Sequence, residues 1–219
     1  MAGAEGASGP VEFDEEQAEL ARTLAGEMRG VVQALATQAP SADALRDALA
    51  ATRELRRTLE APRRPSWYEA GDPTRRLFFD KSPVSGEINA VAPTIRSAEF
   101  EVDGKRGIEL ETIMPRHYEG PPHGVHGGWV AALFDEVLGS AQKFAGTPGV
   151  TAILEVRYRR ITPVDVPLRF RAWVEESEGR RIVARATCEA RGELTADAKA
   201  IFMRVDFEAI EARGRTQES

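Results

Sequence analysis

One cysteine, Cys188, stands in a chain of 219 residues. It excludes an intramolecular disulfide and a zinc site built from several cysteines. Three histidines leave little material for a metal cage, which needs further ligands of the right geometry. There is no basic surplus: 29 Lys and Arg stand against 35 Asp and Glu, a net charge of -6. A protein that gains its affinity from nucleic-acid phosphates normally shows the opposite balance, so no nucleic-acid partner is expected. No apolar run approaches the roughly 20 residues that cross a bilayer, so no membrane partner is expected either. What remains is the balance of a globular protein, with 42% hydrophobic and 29% charged residues.

Residues 1–10 are mostly Gly, Ala, Ser and Pro and read as a disordered start. They lack the basic and apolar regions of a secretory signal, so a cytoplasmic location is expected. Residues 11–60 read as a helical hairpin. Leu20, Leu24, Met28, Val31 and Leu35 recur at steps of three and four, which places them on one helix face. Ser41 is the expected N-cap of a second helix, whose stripe is Leu45, Ala48, Leu49, Thr52, Leu55 and Leu59. Each helix carries a single apolar stripe, so the two are expected to pack on each other or on something larger. Residues 61–81, rich in proline, read as a linker or strap, and Trp67, Tyr68, Phe78 and Phe79 suggest a docked one.

From residue 82 to 207 the pattern is that of a second domain, followed by a tail at 208–219. Ala98, Phe100 and Val102 alternate with polar residues, Asp103-Gly104 signals a turn, and Ile108, Leu110 and Thr112 alternate again. One long helical segment runs from His126 to about Phe144. Four strands are expected after it, at 150–161, 168–177, 181–191 and 193–207, with turns at Gly179 and Gly192. Strand, strand, helix and four strands make an α+β arrangement, an antiparallel sheet with its helix on one face.

The helix carries the chemistry. Gly127 and Gly128 open it, and a helix N-terminus offers unpaired N–H groups and a positive dipole end to an anion or oxyanion. Glycine lets a ligand approach that backbone closely. Asp135 and Glu136 then interrupt an otherwise apolar segment. Glu136 shares with Ala132, Gly139 and Lys143 a stripe that has a polar end and can face water. Asp135 is either exposed at a rim or held in a cleft. It follows Gly127 by eight residues, about 12 Å along one helix axis. The two cannot act on one atom within one helix. Two such helices packed antiparallel about a twofold axis would bring them together, so a catalytic Asp135 requires at least a dimer.

The run His126-Gly127-Gly128-Trp129-Val130-Ala131-Ala132-Leu133-Phe134-Asp135-Glu136 resembles the signature of hotdog-fold thioesterases of the phenylacetate-pathway (PaaI-like) type. Tyr118-Glu119-Gly120-Pro121-Pro122 and Val156-Arg157-Tyr158-Arg159-Arg160-Ile161-Thr162-Pro163 fit the same group. The resemblance spans roughly Ser82 to Phe207. It implies an antiparallel sheet wrapped around one long central helix, a homodimer or homotetramer, and hydrolysis of acyl-CoA thioesters. By motif, Gly127 N–H would bind the carbonyl oxygen. Asp135 from the partner chain would act as general base or nucleophile, and Thr151 would place the water. Ile153, Glu155 and Arg157 are expected on the same strand face as Thr151.

Family members often carry an upstream Asn or Gln, and here only His123 could replace it. His126 is expected to fix the start of the helix. His126, Gly128, His123 and Glu136 are the expected substrate-binding residues, with Arg157 and Arg159 toward the coenzyme A phosphates. His117, His123 and His126 lie close together, but without a third suitably placed ligand no metal is expected. No cofactor is implied, since coenzyme A is part of the substrate. Two other readings use the same residues. One is a non-catalytic hotdog protein that binds an acyl ligand or acts as a scaffold. The other is a dehydratase or hydratase pairing His123 or His126 with Asp135.

Overall fold

A computed structural model describes residues 13–62, 64, 80–102, 104–146 and 149–205. The chain divides into two compact units, one holding residues up to Lys81 with Gly86–Ala90, the other Ser82–Ser85 and the residues from Val91 onward. The expectations for Trp67, Tyr68, Phe78, Phe79, Asp103 and the two chain ends lie outside the described residues.

In the first unit, α1 runs Glu15–Thr37 and α2 runs Ala42–Thr58. α1 starts after Asp14, whose side chain accepts the Gln17 N–H at 2.8 Å while Gln17 returns a bond to the Asp14 N–H at 3.0 Å. Ser41 caps α2, accepting the Ala44 N–H at 3.2 Å. Arg29 reaches from α1 to the carbonyls of Glu87 at 2.9 Å and Asn89 at 3.0 Å, tying the 86–90 segment to the helix.

The apolar stripes are not closed as the spacing suggests. Leu24 and Met28 line an open cleft with Ala21, Ala25 and Ile88. Leu20, Val31 and Leu35 stay exposed, and α2 buries no residue. The two helices make no extended contact with each other among the described residues. Periodicity fixed which residues share a face, but not what covers that face.

The second unit is a six-stranded sheet around one helix. In chain order the strands are β1 (Ile95–Val102), β2 (Lys105–Ile113), β3 (Gly149–Tyr158), β4 (Pro167–Glu178), β5 (Arg181–Ala190) and β6 (Glu193–Arg204), with α3 (Gly127–Ala141) between β2 and β3. The spatial order is β1-β2-β4-β5-β6-β3, and every neighbouring pair is antiparallel. This is the hotdog arrangement. A short 3-10 turn, Gln142–Ala145, continues α3 to the point where the helical pattern fades.

The helix buries Val130, Leu133, Phe134, Val137, Leu138 and Ala141, the spacing of one continuous face. Opposite it stand small residues at every second position of two strands: Ala184, Ala186 and Cys188 on β5, Ala196, Ala198 and Ala200 on β6. Their size lets the helix lie close to the sheet, while Phe134, Phe170 and Phe202 fill the remaining volume. Burial also pushes the Cys188 thiol up to about 12, which keeps it an inert packing group. The β5–β6 hairpin closes through Arg191 and Gly192, both at positive φ (53° and 78°), the conformation a two-residue loop requires.

Gly107 sits where β2 meets β4 and Phe100. A Cβ there would run into the Ala172 carbonyl oxygen and stand 2.6 Å from the Phe100 ring. Gly107→Ala is therefore expected to destabilise the domain by about 1–3 kcal/mol through overpacking. Denaturant titration checks it, and an unchanged midpoint would show that the two strands separate freely there.

Candidate active site

α3 begins where a tight turn delivers His126. Gly124 N–H donates to the Pro121 carbonyl at 2.8 Å, and Gly120 N–H to the Gly124 carbonyl at 2.9 Å. His126 N–H donates to the Tyr118 carbonyl at 2.8 Å. Gly120 has to be glycine, because a Cβ there would meet the His126 Cα at 2.7 Å. His123 takes positive φ (61°) within the turn. Its backbone N–H donates to a Glu119 carboxylate oxygen at 2.5 Å. Its exposed ring makes no hydrogen bond among the described residues.

His126 is the N-cap, and its Nδ1 accepts the Gly128 N–H at 3.0 Å. That bond occupies Nδ1 and the second glycine's N–H together. Gly127 N–H takes no acceptor among the described residues. It remains a free donor at the positive end of the helix dipole.

Two turns along, Asp135 is exposed. Thr151 Oγ1 donates to Asp135 Oδ1 at 2.8 Å, joining β3 to α3 across sixteen residues of sequence. A β-bulge makes this bond possible. The register of β3 on β6 shifts between Thr151 and Ile153, with Thr151 opposite buried Phe202 and Leu154 opposite buried Ala200. The extra residue, Ala152, reverses which side chains point inward. Thr151 therefore shares the helix-facing side with Leu154, Val156 and Tyr158. Ile153, Glu155 and Arg157 lie on the other side, which corrects the face expected from strict alternation. Arg157 lines a small polar pocket there with Glu155, Arg185, Asp197 and Lys199. Arg159 pairs with Asp197 at 2.5 Å. Neither arginine is brought near Asp135 or Gly127 within the chain.

The stripe that allows Glu136 to face water does not decide its place. Glu136 is half-buried and accepts the Ser85 hydroxyl at 2.5 Å. Ser85 is presented by a turn in which Ser82 Oγ accepts the N–H groups of Val84 and Ser85, each at 3.2 Å. Desolvation holds the Glu136 carboxyl above its ordinary value, with a smaller push from Asp135, against the opposing Ser85 bond. The sign follows from linkage. Between the unfolded and the raised folded value the native state binds more protons, so stability falls as pH rises through that window. Glu136→Gln keeps an acceptor for Ser85 and removes the titration. Its melting temperature relative to wild type is expected to improve as pH rises from about 4 to about 8. A pH-independent difference would contradict the burial of that carboxylate.

Two contacts were not legible beforehand. Tyr158 Oη donates to the Gly127 carbonyl at 2.8 Å, and Ser85 lies 51 residues from its partner. The inward side of β3 would have pointed to Tyr158 had the bulge been visible. Nothing in the sequence marks Ser85. Among the described residues no group of three His, Cys, Asp or Glu could hold a metal ion, and no helix is long and apolar enough to cross a membrane.

Residues 123–196, which hold the end of the turn, α3, Thr151 and Tyr158, match the family model of the thioesterase superfamily. The segment that carries the candidate site is thus a thioesterase-superfamily segment. A solved thioesterase superfamily protein is 26% identical, with a TM-score of 0.68, covering 90% of this chain and 97% of that one. The similarity thus extends into the helical N-terminal third, beyond the segment that carries the motif. The human acyl-coenzyme A thioesterase THEM5 is 28% identical over 112 residues, 50% of this chain and 44% of that protein. The match thus spans less than half the length of that curated relative.

Proposed function

We propose that this chain hydrolyses acyl-CoA thioesters, without a cofactor, as a cytoplasmic homodimer that can assemble further to a tetramer. The observation that carries the reading is the Thr151–Asp135 bond at 2.8 Å on the same helix that presents the free Gly127 N–H. The Thr151 hydroxyl occupies Oδ1 and orients the carboxylate, leaving Oδ2 to accept a proton from water. The water oxygen attacks the thioester carbonyl carbon, and the carbonyl electron pair moves onto oxygen, where Gly127 N–H stabilises it. When the oxyanion collapses, the C–S bond breaks. The sulfur leaves with the electron pair and takes up a proton, giving a carboxylic acid and the free thiol of coenzyme A.

One chain holds the two halves about 12 Å apart along the helix, so the reading requires Asp135 and Thr151 of one copy to face Gly127 of another. β3 supports such an assembly. It is a sheet edge, and Val150, Ile153 and Tyr158 on it are 40%, 49% and 54% exposed. An edge of this kind presents unpaired backbone groups that a second copy can pair. His126 supports the oxyanion site by holding the start of the helix. Gly128, its N–H held by His126, leaves the backbone beside the site open to the substrate. His123 stands exposed on the turn before the helix, open to a substrate group. Arg157 and Arg159 take no part in the bond-breaking step; from the other side of the sheet they are left to meet the coenzyme A phosphates in the two-copy assembly.

A panel of acyl-CoAs with a thiol-trapping dye tests the proposal. Release of coenzyme A thiol by purified protein is expected for at least one acyl class. Tight acyl-CoA binding with no thiol release would favour the non-catalytic alternative.

A further inference from the structure

The Gly127–Gly128 peptide is held at both of its polar ends. Its carbonyl accepts the Tyr158 hydroxyl at 2.8 Å, and its N–H donates to His126 Nδ1 at 3.0 Å. The Gly127 N–H lies on the preceding peptide, whose His126 carbonyl accepts the Trp129 and Val130 N–H groups at 2.9 and 3.3 Å. The Gly127 dihedrals join the two planes, and without a Cβ they are restrained by the bonds on either side. The Tyr158 ring also stands against Gly127, 3.4 Å from where a Cβ would be. Within one chain Tyr158 is 54% exposed, so its hydroxyl bond to Gly127, not burial in the chain's own core, ties it to α3. The β3 bulge turns Thr151 and Tyr158 to the same side of the sheet, and the strand grips α3 at Asp135 and at Gly127 through two side-chain hydroxyls.

We infer that Tyr158 is a positioning residue that holds the carbonyl side of Gly127 and so, through that residue's dihedrals, steadies the aim of the Gly127 N–H at the reacting carbonyl. The inference rests on the thioesterase reading. Its physical content is independent: the hydroxyl of Tyr158, acting on the Gly127 carbonyl, sets the order of a glycine pair that nothing else on β3 touches through a side-chain hydrogen bond. A donor acts on an oxyanion only when it is aimed at the position that oxygen takes in the transition state.

Tyr158→Phe in the full chain keeps the ring and removes only the hydroxyl. Removing an oxyanion donor outright typically costs about 10²–10³ in kcat, so a misaimed one is expected to cost roughly tenfold. KM is expected to stay within about twofold, because the loss falls on the transition state. Amide hydrogen exchange at Gly127–Trp129 is expected to speed up while the melting temperature holds. Unchanged kcat with unchanged exchange would overturn the inference. So would a raised KM at constant kcat, which would make Tyr158 a binding residue. Asp135→Asn assayed in parallel separates the two levels. If Asp135→Asn is inactive and Tyr158→Phe is like wild type in both readouts, only the positioning role falls. If Asp135→Asn is fully active, the catalytic reading falls, and the exchange rates alone decide whether Tyr158 orders the peptide.

Discussion

Asp135→Asn is expected to lower kcat for acyl-CoA hydrolysis by about a hundredfold or more, the scale of losing a general base. The substitution is nearly isosteric. The amide oxygen of asparagine can still accept the Thr151 hydroxyl that now bonds Asp135 at 2.8 Å. The side chain is exposed, so no buried charge is exchanged and the melting temperature should hold. What disappears is the capacity to take a proton from water. Steady-state kinetics with thiol detection would show the loss in kcat with KM little changed. Full activity in a correctly folded variant would remove Asp135 from the mechanism. Glu136, fixed by Ser85 and partly desolvated, would then be the carboxylate to test.

The largest expected loss of stability lies one residue earlier. Phe134 is fully buried, and its ring meets Phe170 edge-on with centroids 5.1 Å apart. It joins the central helix to the middle of the sheet. Phe134→Ala should cost about 3–5 kcal/mol through lost transfer energy and the cavity left behind, with a further share from the aromatic pair. The alanines of β5 and β6 are too small to close over the gap. Denaturant titration of the variant is the measurement. A shift below about 1 kcal/mol would mean that the helix resettles onto the sheet, against the tight packing described above.

Those two residues also mark how far sequence reasoning reaches. The order of strands and the single internal helix followed from a period of two giving way to a longer one. The Ser41 cap and the Arg191–Gly192 turn sat where their chemistry is needed. Phe134 lies in the helix that the sequence marks as apolar, and with Val130, Val137 and Ala141 it forms the buried face. Asp135 was singled out because a carboxylate interrupts an apolar segment. The resemblance gave Thr151 only the placing of the water; its bond to Asp135 was not legible, since sixteen residues of separation carry no local signal.

Strict alternation failed at Ala152. Val150-Thr151-Ala152-Ile153 contains no glycine or proline to announce a bulge. One inserted residue then moved Arg157 away from Thr151 and brought Tyr158 toward Gly127. Burial was the other gap. Helical spacing put Glu136 on a stripe with Lys143, but the Ser85 turn, distant in sequence, covers it. The stripes of α1 and α2 were real as faces, yet Leu20, Leu35, Leu45 and Leu49 remain exposed, because periodicity does not specify a partner.

The central claim is a site shared between two copies, and complementation tests it most directly. Chains carrying Asp135→Asn keep a sound Gly127. Chains carrying Gly127→Val keep a sound Asp135, while the added side chain crowds the Tyr158 ring that already stands 3.4 Å from the Cβ position. Each homodimer should be nearly inactive. Random exchange makes half the dimers mixed, and one of the two sites in each is intact, so about a quarter of wild-type turnover should return. Recovery near that level is the predicted result. A mixture that exchanges subunits and stays inactive, or a wild-type chain fully active as a stable monomer, would contradict it.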